Sequence, residues 1–413
     1  MINRRAVVGE TRVTQLLRNK RNRKIERVAL TRRRFMTLAA GTTTLCFAPG
    51  IGRAQSGGTI KVGHIQPLTG PSAAYGIRAR DGAIIAIEEI NAAGGWTDAK
   101  GAKYQFEMAV GDMANDPKQA ITLFRQFATD AQVIASLGPT NSVGYVPLVP
   151  VAAQIKLPLI GNGSGAPIKE WNTYAYRVNP VSTLAVPILV KKVAAKLNIK
   201  RLAVIYDQTQ DAQAGDAEVC KQLAGAVGYE IVAFEAFRAG DQDFSPQIAK
   251  IRSLRPDAIY VAAATGDGIK VVSQVRETGI DKPLITGFGS FQDPVYWDGT
   301  KGAVKGDYTW LAQDLSSPSA QLKGFLDKYN GRFSQQEATS FSTFGYDSIQ
   351  VLMAALKKAG EADREKLAAV LAGLDVTSPI GSRITFKNPP DGNNVNPSVV
   401  IVQINGRGTY VAV

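Results

Sequence analysis

The stretch TIKVGHIQPLTGPSAAYGIRARDGAIIAIEEINAAGG, residues 59–95, decides the fold class. Its first seven residues are β-branched or apolar and predict a buried strand. Residues 75–95 predict a helix, with Ala83, Ile84, Ile87 and Ile90 on one face and Gly94-Gly95 as its stop. The same couplet then recurs. KYQFEMAVGD (103–112) reads as a strand, and DPKQAITLFRQFAT (116–129) as a helix with Pro117 in its first turn. QVIASLGP (132–139) is a strand, VGYVPLVPVAAQI (143–155) a helix, and LPLIGNGS (157–164) a strand.

A second run follows the first. RLAVIYD (201–207), YEIVAFEAF (229–237), DAIYVAAA (257–264) and PLITGFG (283–289) predict strands, with helices between them at about 213–226, 244–254 and 267–278. GDYTWLAQD (306–314) is a further strand, followed by helices at 318–332, 340–359 and 362–373. SRITF (382–386) and VVIVQI (399–404) close the chain as short strands. Alternating strands and helices mean parallel sheets covered on both faces. The fold class expected is therefore α/β, with two doubly wound lobes between which the chain crosses more than once. Residues 162–182 and 312–317, rich in Gly, Asn, Ser and Pro, are the expected crossings. Ligands of such sheets bind at the carboxyl ends of strands, here the cleft between the lobes.

The chain has 413 residues and a formal net charge of +13, but +11 of that lies within residues 1–54. The remainder is nearly neutral, so no nucleic-acid partner is expected. The basic segment ends in Arg32-Arg33-Arg34 and is followed by an apolar stretch from Phe35 to about Phe47 and then by Gly52-Arg53-Ala54. That order is the signal-peptide pattern. Thr31-Arg32-Arg33-Arg34-Phe35-Met36 looks like the twin-arginine export signal. Cleavage near Ala54 and a periplasmic mature chain are expected, with residues 1–54 removed. The apolar stretch is too short to span a bilayer, which takes roughly 20 residues. Only Cys220 remains beyond the leader, so no intramolecular disulfide is available there. His64 is the one histidine, which excludes multi-histidine metal sites.

No phosphate-binding glycine loop, nucleophile elbow or metal-loop spacing occurs, so no catalytic residue, cofactor or metal is expected. The informative positions are strand ends. Thr140, Asn141 and Ser142 stand between a strand and a helix, where free backbone N–H groups and a hydroxyl suit a carboxylate. Ser142 serving only as its helix cap is the alternative. Ser164 lies near another helix start one strand later. In the second run, Asp207, Asp211, Asp241 and Asp243 follow strands. Asp243 suits a helix cap, whereas Asp241 has no such duty and could meet an ammonium group. A zwitterion bridging the cleft would satisfy both sides.

The motifs GHIQPLTGPSAAYG, DGAIIAIEEINAAGG, DMANDPKQAITLFRQFATD and LGPTNSVG together resemble the leucine/isoleucine/valine-binding protein family, over essentially residues 59–413. These are periplasmic substrate-binding subunits of ABC importers. The resemblance implies a type I periplasmic binding fold, with two α/β lobes joined by a three-crossing hinge. Lobe 1 would comprise 57–178 plus 315–375, and lobe 2 179–314 plus 376–413. It also implies clam-shell closure on a small polar ligand, an amino acid or close analogue, and delivery to ABC permease subunits by a monomer. Residue by residue, Tyr75 would line the cleft and Ser142 would receive a ligand carboxylate. Gly163, Ser164 and Gly165 match a run that holds both ends of an amino acid, although Gly165 stands where the family shows threonine. Asp211 falls where the family shows an aromatic residue. Asp241 matches the acid that pairs the α-ammonium, and Phe291 the side-chain pocket. The family's disulfide in the first lobe has no counterpart. A further carboxylate at Asp211 would favour ligands with extra donors, such as amides, urea-like compounds or polar amino acids. Aromatic acids, bound by some relatives, are the other option. A ligand-binding sensor subunit is the alternative role, and an enzyme lacks any visible constellation.

Overall fold

The computed structural model describes residues 56–130, 132–287, 291–387 and 391–413. The leader expected at residues 1–54 lies outside them. From the amino end come β1 (Ser56–Gln66), α1 (Ala73–Ala92), β2 (Trp96–Thr97), β3 (Lys103–Asp112), α2 (Pro117–Thr129), β4 (Val133–Leu137), α3 (Ser142–Ile155), β5 (Leu159–Gly161) and β6 (Ala175–Arg177). Their strands form one sheet in the order β2-β3-β1-β4-β5-β6. All its pairings are parallel except that of the short edge strand β2 with β3.

The chain continues through α4 (Ser182–Leu197), β7 (Arg201–Asp207), α5 (Asp211–Val227), β8 (Glu230–Phe237), α6 (Ser245–Ser253) and β9 (Ala258–Ala262). Then follow α7 (Thr265–Glu277), β10 (Leu284–Ile285), α8 (Pro294–Gly299) and β11 (Tyr308–Leu311). Helices α9 (Ala320–Arg332), α10 (Ser340–Ala359) and α11 (Arg364–Leu371) lead into the hairpin β12 (Asp375–Thr377) and β13 (Arg383–Thr385). The last strands are β14 (Val400–Gly406) and β15 (Thr409–Ala412). The second sheet runs β15-β14-β11-β10-β9-β7-β8. Its last two strands in sequence are antiparallel, β14 to β11 and β15 to β14.

The expected two α/β lobes are thus present, and the chain crosses between them three times: after β6, after β11 and between α11 and β14. Helices α9 and α10 return to pack on α1 of the first lobe. The third crossing is the one the resemblance implies after residue 375, whereas β15 had no counterpart in the expected scheme. Helix α4 was also unassigned there. Its Pro187 and apolar Val186, Leu189, Val190 and Val193 read equally as a buried strand, and length decides for the helix.

Alternation explains the layers. Leu202 and Val204 of β7 join the core under α4 and α5, while Ala203 and Ile205 face α6 and α7. In the first lobe, Ile60 and Val62 face α1 and α10, and Ile65 faces α2 and α3. Helices α1 and α10 touch through Gly82 and Gly345. A Cβ at Gly82 would run into the Ser342 carbonyl, and one at Gly345 into the Ala79 carbonyl. Helix α10 begins with a capping box, Thr339 and Ser342 each bonding the other's backbone N–H. No helix among the described residues is long and apolar enough to cross a membrane.

Candidate ligand-binding site

The carboxyl ends of β4 and β5 meet the amino ends of α5 and α7 across the cleft. On the first-lobe side, Tyr75 lies in the first turn of α1, stacked on Phe341 with centroids 4.5 Å apart. Its hydroxyl oxygen accepts from the Thr265 backbone N–H at 2.7 Å, so the two lobes are in direct contact here. Thr140 follows β4; its N–H donates to Gln66 Oε1 at 3.0 Å, and its buried hydroxyl has no hydrogen-bond partner.

The cap of α3 is Asn141, whose side chain accepts from Gly144 N–H at 3.2 Å. Ser142 is therefore not the cap. Its hydroxyl is released into the site, 3.1 Å from the Ser164 hydroxyl. Ser164 arrives on the loop after β5, which lies so close to Thr140 that a Cβ at Gly163 would sit 2.7 Å from the Thr140 carbonyl oxygen. Buried Arg177 holds this loop. Its Nη1 donates to the carbonyls of Ser164 at 2.9 Å and Ala166 at 2.7 Å, and its Nε to Asn393 at 2.7 Å. The guanidinium also lies over Trp171, and burial lowers its pKa to about 10. Asn179 adds a second donor to the Ser164 carbonyl, and Gly165 accepts from Ser182 N–H.

On the second-lobe side, Asp207 ends β7 fully buried. It accepts from Thr209 and from Gln210 Nε2, which fixes Gln210 at the start of α5. Gln213 and Thr265 each present a buried side-chain oxygen without a partner, Oε1 and Oγ1. Tyr75, Thr140, Asn141, Ser142, Gln210, Ala212 and Gln213 together line a cavity of about 10 Å³, near the room one water takes. The lobes are closed over it.

The other expected positions lie elsewhere. Asp211 is exposed at the first residue of α5, on an outer groove with Pro147, Pro150 and Pro167. Asp241 is half-buried, and its Oδ2 accepts from Arg238 N–H at 2.8 Å. Asp243 accepts from Ser245 N–H, which serves the start of α6 and holds its pKa below the usual range. Phe291 is buried against Tyr296 in the second-lobe core. The structure thus gathers Tyr75, Ser142, Gly163, Ser164 and Gly165, but places Asp211, Asp241 and Phe291 outside this cavity. Gln210 and Gln213 line the cavity and Thr265 borders it at Tyr75, and none of the three is among the positions expected from the sequence. All three stand at helix starts after strands, a signal the sequence carries, but a neutral side chain there does not announce a polar contact as a carboxylate does.

A buried ion pair also joins the lobes. Arg78 of α1 donates to Asp293, the cap of α8, at 2.9 Å, with both side chains almost inaccessible. Burial raises the Asp293 pKa, and Arg78 opposes that shift. At the surface, Arg407 pairs with Asp298 at 2.8 Å and also reaches Glu337.

Residues 59–409 match the family profile described as periplasmic binding protein. The chain belongs to the periplasmic binding protein family. Among curated members, it is 28% identical over 337 residues to the leucine-, isoleucine-, valine-, threonine-, and alanine-binding protein of Pseudomonas aeruginosa, covering 78% of this chain and 85% of that one. It is 29% identical over 364 residues to the Leu/Ile/Val-binding protein BraC3 of Rhizobium johnstonii, covering 86% and 95%. Two solved members superpose with TM-scores of 0.74 at 27% identity, each over 86% of this chain. One is the branched-chain amino acid transporter substrate binding protein of Streptococcus pneumoniae with isoleucine, covered over 100% of its length. The other is a solute binding protein of an ABC transporter from Rhodopseudomonas palustris with 3,4-dihydroxybenzoic acid, covered over 96%. As a periplasmic binding protein, this chain is a solute-binding receptor.

Proposed function

We propose that this receptor captures a small carboxylate-bearing solute, an amino acid or close analogue, in the cleft between its lobes. The observation that carries the reading is the pairing of the Ser142 and Ser164 hydroxyls at the amino end of α3. Hydroxyls and unpaired N–H groups at a helix start together favour a carboxylate. Gln213 Oε1 and the Thr140 and Thr265 hydroxyls, buried and unpartnered, would then meet the ligand's remaining polar atoms. Entry requires the lobes to part, since Tyr75 and Thr265 are hydrogen-bonded across the cleft. Closure on the ligand is a population shift toward the closed form.

The boundaries proposed for the lobes are 57–178 plus 315–375 and 179–314 plus 376–413, consistent with α9 and α10 packing on α1. Export by residues 1–54, residence in the periplasm, and delivery by a monomer to ABC permease subunits complete the proposal; the family description supports the periplasm, and the transporter named for the Streptococcus pneumoniae relative supports the delivery. A second reading is a hydroxylated aromatic acid. Neutral Gln210 and Gln213, rather than a carboxylate, face the cavity, and the Tyr75–Phe341 stack borders it.

A thermal-shift panel of L-amino acids, small amides, urea and aromatic acids tests both. A ligand at 100 times its Kd stabilises by about 2.7 kcal/mol. Shifts with α-amino acids, lost in Ser142→Ala, support the first reading. Shifts confined to aromatic acids move the assignment to the second, and shifts with amides or urea alone discard the carboxylate.

A further inference from the structure

Behind the cleft, at the hinge, lies a separate cavity of about 400 Å³, within the size range of small-molecule sites. All three crossings wall it: Val178 and Pro180 from the first, Gln313 and Asp314 from the second, Ile380 and Ser382 from the third. Its floor is α10, which presents Phe344 and Asp347 one turn apart. Asp347 is 2% exposed, and its Oδ1 has no hydrogen-bond partner. No ion pair within 4.0 Å is formed by it among the described residues. The other charged groups of the wall are occupied. Arg383 is paired with Asp375 at 2.9 Å, and Asp314 accepts from the N–H groups of Ser316 and Ser317. Burial pushes the Asp347 pKa up to about 7, against the pull of the Ser378 and Ser382 hydroxyls.

A buried carboxylate without a cation, in a cavity large enough for a molecule and lined by Val178, Leu322, Phe344 and Ile380, has a definite complement. No group of three or more metal-ligating side chains occurs among the described residues, so a metal ion is a poor fit. We infer that the hinge cavity is a second binding site, for a small organic ammonium ion whose charged head pairs with Asp347 and whose hydrocarbon body lies along the apolar wall. The site is distinct from the cleft and stands whichever solute the cleft takes. Because three crossings line it, an occupant touches every segment that must bend when the lobes move.

The test uses the full chain and three probes: n-butylammonium chloride, n-butanol and potassium chloride. Butylammonium is expected to raise Tm by at least about 2 °C, with saturation, while the alcohol and the salt do not. Asp347→Asn should abolish the rise. Ser398→Trp, at the exposed mouth, should abolish it with the carboxylate intact, and its cleft ligand should still give a normal shift. No rise in the unaltered chain, an equal rise with n-butanol, or a rise that survives both substitutions would overturn the inference.

Discussion

Replacing Arg78 by Met isolates what the buried ion pair does for closure. In the closed form Asp293 would be left inaccessible and without its cation. It then either stays charged at high cost or takes a proton. Protonation sets the ceiling: from an ordinary carboxyl pKa of 3.8, neutralising it at pH 7 costs about 4 kcal/mol. Removing one partner of a buried pair is generally worth about 3–5 kcal/mol, in agreement. With the lobes apart the same carboxylate is hydrated and no such cost arises. For a receptor whose open form dominates without solute, the whole difference falls on apparent affinity, a weakening of about 100- to 1,000-fold. At pH 5 the ceiling drops below about 2 kcal/mol, and the defect should shrink to about 15-fold. The assay is calorimetric titration of the cleft ligand found in the panel, at both pH values, with Asp293→Asn added as second substitution. Asn keeps the cap on Val295 N–H and removes the charge, so the double variant should regain most of the affinity. An affinity within threefold of the original for Arg78→Met, or a defect equal at both pH values, would refute the reasoning.

His64 is fully buried with neither ring nitrogen bonded, and burial lowers its pKa to about 3. Its folded pKa is depressed, so stability is complete above pH 6.5 and declines as pH falls toward 3, by at most about 5 kcal/mol; urea titrations of His64→Leu should show a flatter acid limb. Asp347 has the opposite sign: its contribution is present below pH 3.8 and lost as pH rises through about 7, so Asp347→Asn should gain stability chiefly at pH 7 and above. Gly82→Ala pushes a methyl group into the Ser342 carbonyl and should lower stability by about 1–3 kcal/mol, read as a reduced urea midpoint with unchanged slope. Arg177→Met frees the carbonyls of Ser164 and Ala166 and should weaken cleft binding while Arg177→Lys, lacking the fork, recovers only part.

The sheets and most helices were legible because alternating apolar periods report burial directly, as at β7 and α2. Strand order was not, since β14 returning beside β11 is a pairing over a long sequence separation. The first-lobe half of the candidate site was legible to the extent that Ser142 and Ser164, where glycine, hydroxyl and strand end coincide, come together. The second-lobe half was not. Asp211 and Gln210 are neighbours at one helix start, and only the rotation of α5 decides which of them faces inward. Nothing in residue type distinguishes those two angles.

The threefold crossing has a consequence for how the molecule is made. The first sheet is complete at Arg177, yet its α1 face is covered only by α9 and α10, more than 140 residues later. The second sheet in turn needs β14 and β15, which follow every other described element in chain order, to cover the edge of β11. Neither lobe can finish from one continuous stretch. Nascent chains ending anywhere before Val400 therefore expose a bare sheet edge, and maturation has to be a late event of the whole chain rather than two successive domain closures.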